Sequence, residues 1–176
     1  MSIIILDNVF PDSYIDILYK TLSGYDFHWI LNNGYVTVDD GGYQLVHMFY
    51  QGFEPKSKHF NLLEPILQKI QAFSIVRIKA NLTWKTHLPI KTNFHTDIQE
   101  SGRFIGKNSK EMIEKMKTFI FYVNSNDGYT EFENGEIVKS VANRLVQFNT
   151  NMSHRAVTTT DTAYRMVINF NVYSSI

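Results

Sequence analysis

Hydrophobic and polar residues alternate along residues 74–85, which read SIVRIKANLTWK. One set of alternate positions is apolar and consists of Val76, Ile78, Ala80, Leu82 and Trp84. The other set is polar and consists of Arg77, Lys79, Asn81, Thr83 and Lys85. Because successive side chains of a β-strand point to opposite faces, this period of two predicts a long, half-buried strand.

Short β-prone runs continue to the end of the chain. They read TNFHTDI, TFIFYVN, YTEF, EIVKSV, RLVQFN, HRAVTTT and YRMVINFNVY. The turn-forming residues at 126–128 and 133–135, NDG and ENG, separate some of them. Many short strands at nearly regular spacing predict a mainly β (α+β) protein with an antiparallel double sheet of the jelly-roll type.

The N-terminal part has a different pattern. A short apolar strand at 3–6 precedes a predicted helix that begins at Pro11 and Asp12 and ends at Gly24. Residues 27–42 resemble a hairpin whose turn is Asn32-Asn33-Gly34, and residues 64–71 predict a second helix. We expect these helices to pack outside the sheets.

Size, charge and cysteine content exclude several classes of protein. A chain of 176 residues predicts a single domain. Its 17 basic residues balance 17 acidic ones, which disfavours nucleic acid as a partner. The absence of cysteine excludes disulfides, thiolate metal sites and a cysteine nucleophile. The N-terminal sequence has neither a basic region nor an apolar run long enough for a signal peptide or a membrane span, so we predict a cytoplasmic protein.

The stretch NFHTDIQE at 93–100 carries the first candidate chemistry. If it is a strand, His95 and Asp97 project from the same face, as two ligands of one metal must. The His-x-Asp pattern alone is weak evidence, because histidine is common in ordinary structural positions.

A third candidate ligand, His154, opens a later β-prone run, and Arg165 follows in the next run. Two histidines and one carboxylate leave coordination positions open on a metal, as in non-haem Fe(II) oxygenases. Arg165 lies in the strongly apolar run AYRMVINF, which favours a buried anionic partner such as one end of a dicarboxylic acid.

This pattern of His95, Asp97, His154 and Arg165 resembles the Fe(II)/2-oxoglutarate-dependent dioxygenases. The similarity is to their short, prolyl 4-hydroxylase-like branch, many of whose members occur in bacteriophage genomes, and it covers residues 81–172. It implies a double-stranded β-helix, a cupin-like jelly-roll barrel, with two or more helices packed outside. Residues 73–176 would then form the catalytic barrel, and residues 1–72 would support it.

The resemblance also implies roles for single residues. Arg165 and Tyr122 would bind the C5 carboxylate of 2-oxoglutarate, and Arg103 would contact substrate at the rim. Collagen-type prolyl hydroxylases usually have lysine at the position of Arg165, and nucleobase demethylases have a second arginine where this chain has Asn171. From strand parity we expect Asn81 and Asn169 to face the barrel interior, where either could contact the cosubstrate.

The implied reaction uses Fe(II), 2-oxoglutarate and dioxygen to hydroxylate a C–H bond, most simply in a prolyl residue of a peptide or protein. Two alternatives stay open. One is hydroxylation of a free amino acid or another small molecule. The other is a cupin-like metal-binding module without oxygenase turnover, against which Arg165 argues.

The remaining features have less specific interpretations. His28, His47, His59 and His87 have no partner at ligand spacing and are predicted to lie at the surface or in loops. The aromatic, glycine-containing segment 38–53 is predicted to be either a lid or an outer strand. Residues 100–117 are predicted to form a loop with a short helix.

Overall fold

The structure, a computed structural model, describes residues 2–36, 42–98 and 109–176. The helices are α1 (Asp12–Leu22), α2 (Glu64–Lys69) and α3 (Ser109–Lys115), with a 3-10 turn at Phe60–Leu63. The strands are β1 (Ile4–Leu6), β2 (Ile30–Asn33), β3 (Tyr43–Gln51), β4 (Glu54–Pro55), β5 (Ala72–Trp84), β6 (Lys117–Tyr122), β7 (Tyr129–Phe132), β8 (Ile137–Lys139), β9 (Arg144–Asn149), β10 (His154–Val157) and β11 (Tyr164–Ser174).

The strands form two antiparallel sheets. The larger sheet has the order β1-β9-β6-β11-β5-β3-β2, with β4 paired to β3, and the smaller has the order β10-β7-β8. The predicted mainly β, jelly-roll fold is therefore confirmed. Strands β1 to β3 belong to the same sheet as the strands after residue 72, so the N-terminal part contributes to the barrel wall as well as to its outer layer.

Helices α1 and α2 cover the outer face of the larger sheet. α1 begins after Pro11 with an acidic residue in its first turn and a basic one in its last, as the helix dipole favours. Its buried residues Leu18 and Leu22 join a core cluster with Ile66 of α2 and with apolar residues of β5, β6 and β11. Burial of this kind contributes about 1.5–3 kcal/mol for each large apolar side chain.

Strand β5 confirms the alternating pattern and shows what each face contacts. Ile78, Ala80 and Leu82 are buried in the outer core cluster. Lys79, Asn81 and Thr83 point the other way and line a cavity between the two sheets. The polar face of this strand is therefore the inner wall of the barrel.

Two local predictions are wrong. Asn32 and Asn33 are not turn residues, because they lie in β2 and pair with Gln44 and Tyr43 of β3, so that the turn comes after Asn33. Residues 92–98 do not form a continuous strand, and the bridges at Lys91 and His95, to Val157 and His154, are isolated ones. The partner of residues 92–98 is distant in sequence, and in both places local propensity does not determine the register.

The structure shows what part of the segment 38–53 forms. Residues 43–51 are β3, which pairs with β2 and with β5 and is therefore an inner strand of the sheet, while residues 38–41 lie outside the described residues. The short helix expected within 100–117 is present as α3, whereas Arg103 lies outside the described residues. Among the helices described, none is long and apolar enough to cross a membrane.

His47 is neither a surface nor a loop residue, contrary to the prediction. It lies on β3 and is half-buried, with its ring 4.1 Å from that of Phe27. Its Nδ1 donates to the carbonyl of His28 at 2.7 Å, so its Nε2 is left to accept from the hydroxyl of Ser57, also at 2.7 Å. Both ring nitrogens thus have partners that suit the neutral imidazole.

We expect the free energy of unfolding to fall as pH falls below about 6.5, and to fall less steeply in His47→Gln. Burial lowers the pKa of His47 below 6.5, as it does for His59 and His95. As pH falls, these histidines therefore bind protons in the unfolded chain before they do so in the folded protein. Their contribution to the free energy of unfolding is complete above pH 6.5 and is lost as pH falls toward the folded-state pKa values. Urea unfolding at pH 7.5 and 5.5 tests this, with exposed His87→Gln as control. An unchanged pH dependence in His47→Gln would contradict it.

Candidate functional site

His95 and His154 form a directly opposed pair in the barrel. The backbone N–H of each donates to the carbonyl of the other at 3.0 Å. Residues paired in this way project their side chains to the same face, and the two imidazole centroids are 4.9 Å apart. The bridge brings the two imidazoles together although they are far apart in sequence.

The same ring nitrogen of each imidazole is occupied by the backbone. Nδ1 of His95 donates to the carbonyl of Asn93 at 3.1 Å, and Nδ1 of His154 donates to that of Met152 at 3.0 Å. Because a carbonyl only accepts, Nδ1 carries the proton in both rings, and Nε2 presents a lone pair. This is how metal-binding histidines are commonly oriented.

Asp97 completes the group and is held by two donors. Arg77 Nη2 donates to Oδ1 and Asn171 Nδ2 donates to Oδ2, each at 3.1 Å, and the Asp97 side chain is 4% exposed. Burial alone would raise the pKa of Asp97, but Arg77, together with His154, His95 and Lys79, lowers it well below its usual range. The carboxylate is therefore ionised at neutral pH.

His95, Asp97 and His154 each offer a ligand atom, and these atoms lie within 4.8 Å of one another. Across the described residues no other group of histidine and acidic side chains meets this geometry. Burial lowers the pKa of His95, which favours the neutral imidazole that a metal requires. Two imidazoles and one carboxylate fit Fe(II) with coordination positions to spare.

Arg165 lies in the wall of the same cavity and is 3% exposed. Its Nε donates to the hydroxyl of Ser140 at 2.8 Å and its Nη2 to that of Thr130 at 3.1 Å. Within the described part of the chain it forms no salt bridge with a carboxylate. A buried guanidinium with only neutral partners is suited to bind an anion from outside the protein.

Tyr122 and Thr130 surround the Arg165 guanidinium. The buried Tyr122 hydroxyl donates to Thr130 Oγ1 at 2.7 Å, and the guanidinium carbon lies 5.5 Å from the Tyr122 ring centroid. Thr130 Oγ1 thus accepts two hydrogen bonds, so its own proton is available to the cavity that Thr130 lines. Contact between Tyr122 and a bound carboxylate stays a prediction.

Gly128 leaves room for Arg165. A Cβ atom at this position would lie 2.9 Å from Arg165 Cδ and 2.9 Å from the backbone carbonyl oxygen of Val157. Real Cβ contacts are longer, so Arg165 would have to move, and the Val157 carbonyl of β10 and Asn126 Oδ1, at 2.8 Å, would be crowded as well.

We therefore expect Gly128→Ala to weaken binding of an Arg165-bound carboxylate about tenfold, with metal affinity unchanged, since overpacking typically costs about 1–3 kcal/mol. Calorimetric titration with 2-oxoglutarate measures this. Gly135→Ala is the matched control, because it strains a left-handed turn residue that has nothing within 4 Å of its added Cβ. Equal weakening in both variants would show that general destabilisation is the cause.

Asn81 and Asn169 both line the cavity, as strand parity predicted. Their Oδ1 atoms, and Oγ1 of Thr83, which pairs with Arg165, are buried without a hydrogen-bond partner among the described residues. Such groups cost free energy unless a ligand or water completes the network. Whether they contact a cosubstrate remains a prediction.

Sequence reasoning missed several residues of the site. Arg77 and Asn171 hold Asp97, Thr130 receives Arg165, and Lys79 lines the cavity beside them. Burial, and secondarily Arg77, lower the pKa of Lys79 to about 8. The alternation along β5 places Arg77 and Lys79 on the inner face, so that signal was available, whereas nothing in the sequence indicates that Thr130 contacts Arg165.

Comparison with known proteins finds the fold but no sequence match. No protein-family model and no curated protein matches the chain. A collagen prolyl hydroxylase of Paramecium bursaria Chlorella virus-1 is 10% identical, with a TM-score of 0.62 over 100% of this chain and 91% of that one. A Trichoplax adhaerens prolyl hydroxylase, solved with a hypoxia inducible factor peptide fragment, is 11% identical. Its TM-score is 0.65, over 98% of this chain and 83% of that one.

A third similar structure has a different activity. The non-haem α-ketoglutarate-dependent epimerase SnoN of nogalamycin biosynthesis is 10% identical, with a TM-score of 0.68 over 98% of this chain and 78% of that one. At these identities the comparisons show a shared fold, which is that of the 2-oxoglutarate/Fe(II) oxygenases.

Proposed function

We propose that the protein is an Fe(II)- and 2-oxoglutarate-dependent dioxygenase that hydroxylates a C–H bond. The observation that carries this proposal is the shared cavity of the metal-ligand group and Arg165. A metal-binding module alone has no use for a buried guanidinium without a carboxylate partner. The fold of the similar structures supports the same activity.

His95, Asp97 and His154 would hold Fe(II). When bound, the iron supplies the oxidation of a C–H bond by dioxygen, coupled to conversion of 2-oxoglutarate to succinate and CO2. The residues around the ligands keep them in the required state. Arg77 and Asn171 fix the ionised Asp97, and the backbone carbonyls of Asn93 and Met152 fix both imidazole tautomers.

Arg165 would bind the C5 carboxylate of 2-oxoglutarate. A charge-assisted hydrogen bond from a buried guanidinium is stronger than one between neutral groups. Thr130 can donate its hydroxyl proton to the same carboxylate, while Tyr122 packs on the guanidinium and orients Thr130. Asn81 and Asn169 would contact the remainder of the cosubstrate from β5 and β11.

A prolyl residue in a peptide or protein is the first candidate substrate. Two of the similar structures are prolyl hydroxylases, one solved with a peptide. An extended peptide would present a proline ring C–H to the iron while its backbone lies along the cavity mouth. Arg103 would contribute a contact at the rim in this proposal.

A small molecule is the second candidate. SnoN, which shares the fold, is an epimerase from nogalamycin biosynthesis. Within this chain, the polar side chains of Lys79 and Gln44 line the cavity together with Tyr35. Polar groups that converge in a cavity are typical of sites for small ligands.

Mass spectrometry can separate the candidates. The protein would be incubated with Fe(II), 2-oxoglutarate and either proline-rich peptides or free L-proline, with His154→Ala as the inactive control. A gain of one oxygen on the peptide supports the first candidate, and a gain on free proline alone contradicts it. Failure of the wild-type protein to form succinate with any addition would contradict the oxygenase proposal.

A further inference from the structure

Lys79 is a cation at the centre of the inner wall, and the metal and cosubstrate roles proposed above do not use it. It lies opposite Met48 of β3 and Asn169 of β11 and lines the cavity with His95 and Asp97. Its side chain therefore points to the space beside the metal ligands, where a substrate must place its reacting carbon.

The Lys79 ammonium forms no hydrogen bond or salt bridge with any described residue. The nearby carboxylate, Asp97, has both oxygens occupied by Arg77 and Asn171. Lys91 and Lys115, in contrast, are paired with Glu131 and Glu111. Holding a lysine inside the barrel without an anion is costly, which indicates that its partner comes from a ligand.

That ligand differs from the one at Arg165. Arg165 lies opposite Thr83, four positions along β5 from Lys79. At a rise of about 3.3 Å per residue, the two Cα positions are about 13 Å apart along the wall. A five-carbon dicarboxylate anchored at Arg165 and chelated at the metal leaves Lys79 for a second anion.

The cavity is covered at the end that lies beside Thr83. Gln44 Nε2 donates to the carbonyl of Tyr35 at 2.6 Å and so fixes the chain that precedes β3. Gly42 packs under the Tyr35 ring, since a Cβ atom there would lie 2.0 Å from ring carbons. Tyr35 and Gln44 both line the cavity, and because the next residue, Leu45, pairs with Leu82, they narrow the space beside Thr83 and Arg165 and limit the size of the ligands that the cavity admits.

We propose that Lys79 binds a carboxylate of the substrate, and that the substrate is a free carboxylic acid of amino-acid size. This inference rests on the proposed oxygenase function and selects the second of its substrate candidates. The ammonium would orient the substrate so that a C–H bond near its carboxylate faces the metal ligands. An internal prolyl residue of a peptide has no carboxylate to offer at this position.

The test uses the full chain loaded with Zn(II) and saturated with 2-oxoglutarate. Its probes are the twenty free L-amino acids, the corresponding amino-acid amides and a proline-rich peptide amidated at its C-terminus, and binding is measured by ligand-observed NMR. We expect at least one free acid to bind the wild-type protein. Its amide should bind the wild type at least about tenfold more weakly, and the free acid itself should bind Lys79→Met at least about tenfold more weakly. Lys79→Arg should retain binding, as should Lys85→Met, which removes an exposed lysine next to the end of the same strand.

The other outcomes overturn the inference. It is wrong if no free acid binds, if acid and amide bind alike, or if the peptide amide binds wild type and Lys79→Met equally. It is also wrong if Lys79→Met loses 2-oxoglutarate, since the ammonium would then serve the cosubstrate. Failure of wild type to bind Zn(II) and 2-oxoglutarate at all would instead contradict the proposed function.

Discussion

Replacing Arg165 with methionine is expected to raise the dissociation constant for 2-oxoglutarate by a factor of about 30 to several thousand. The guanidinium is buried, and its partners within the described residues are the hydroxyls of Ser140 and Thr130. Loss of a buried, charge-assisted partner costs about 2–5 kcal/mol, and about 1.4 kcal/mol corresponds to a factor of ten. Calorimetry on the metal-loaded protein measures the change, while metal affinity should remain that of the wild type.

Two comparisons show whether the distal carboxylate is the group that Arg165 binds. Tyr122→Phe removes one neutral hydrogen bond to Thr130 and should reduce the binding free energy of 2-oxoglutarate by only roughly 0.5–1.5 kcal/mol. 2-Oxobutyrate, which lacks the distal carboxylate, should bind wild type and Arg165→Met with similar affinity. If 2-oxoglutarate binds both proteins equally, the assignment of Arg165 is wrong.

Replacing His154 with alanine is expected to abolish stoichiometric Fe(II) binding and turnover. The side chain supplies one of three protein ligands, and even the loss of a residue that only supports a ligand costs 10- to 100-fold in metal affinity. We expect more than about a 100-fold loss, measured by anaerobic metal titration. His95→Ala should behave in the same way.

The fold of the His154→Ala variant should remain largely intact. His154 packs against Phe132 and Phe148 in the inner core, so the substitution leaves a cavity, but the backbone bridge to His95 does not depend on the imidazole. Far-UV circular dichroism and urea unfolding monitor this. His87→Ala, in an exposed position, is the control for metal binding. Undiminished iron binding by His154→Ala would contradict the ligand assignment.

Much of the barrel could be predicted from local pattern. The alternation along β5 predicted both its extent and the inward direction of Asn81, because strand parity depends only on the chain itself. The group of His95, Asp97 and His154 was predicted from residue type and from resemblance. Its physical cause is the antiparallel bridge between residues 95 and 154, which no local pattern reports.

The contacts around the ligands could not be predicted for the same reason. Arg77 and Asn171 reach Asp97 from β5 and β11, and Thr130 reaches Arg165 from the other sheet. These contacts depend on register between strands that are far apart in sequence. The misplaced hairpin turn has a different cause, because Asn32 and Asn33 have turn propensity but are paired with the next strand, β3.

The most direct test of the proposed function is an anaerobic titration of 2-oxoglutarate into the Fe(II)-loaded protein, followed by admission of dioxygen and quantification of succinate by mass spectrometry. The site predicts that about one equivalent of 2-oxoglutarate binds only when metal is present, and that succinate forms in wild type but in neither His154→Ala nor Arg165→Met at the same concentration. Iron binding without any 2-oxoglutarate binding, or binding of both without succinate, would contradict it.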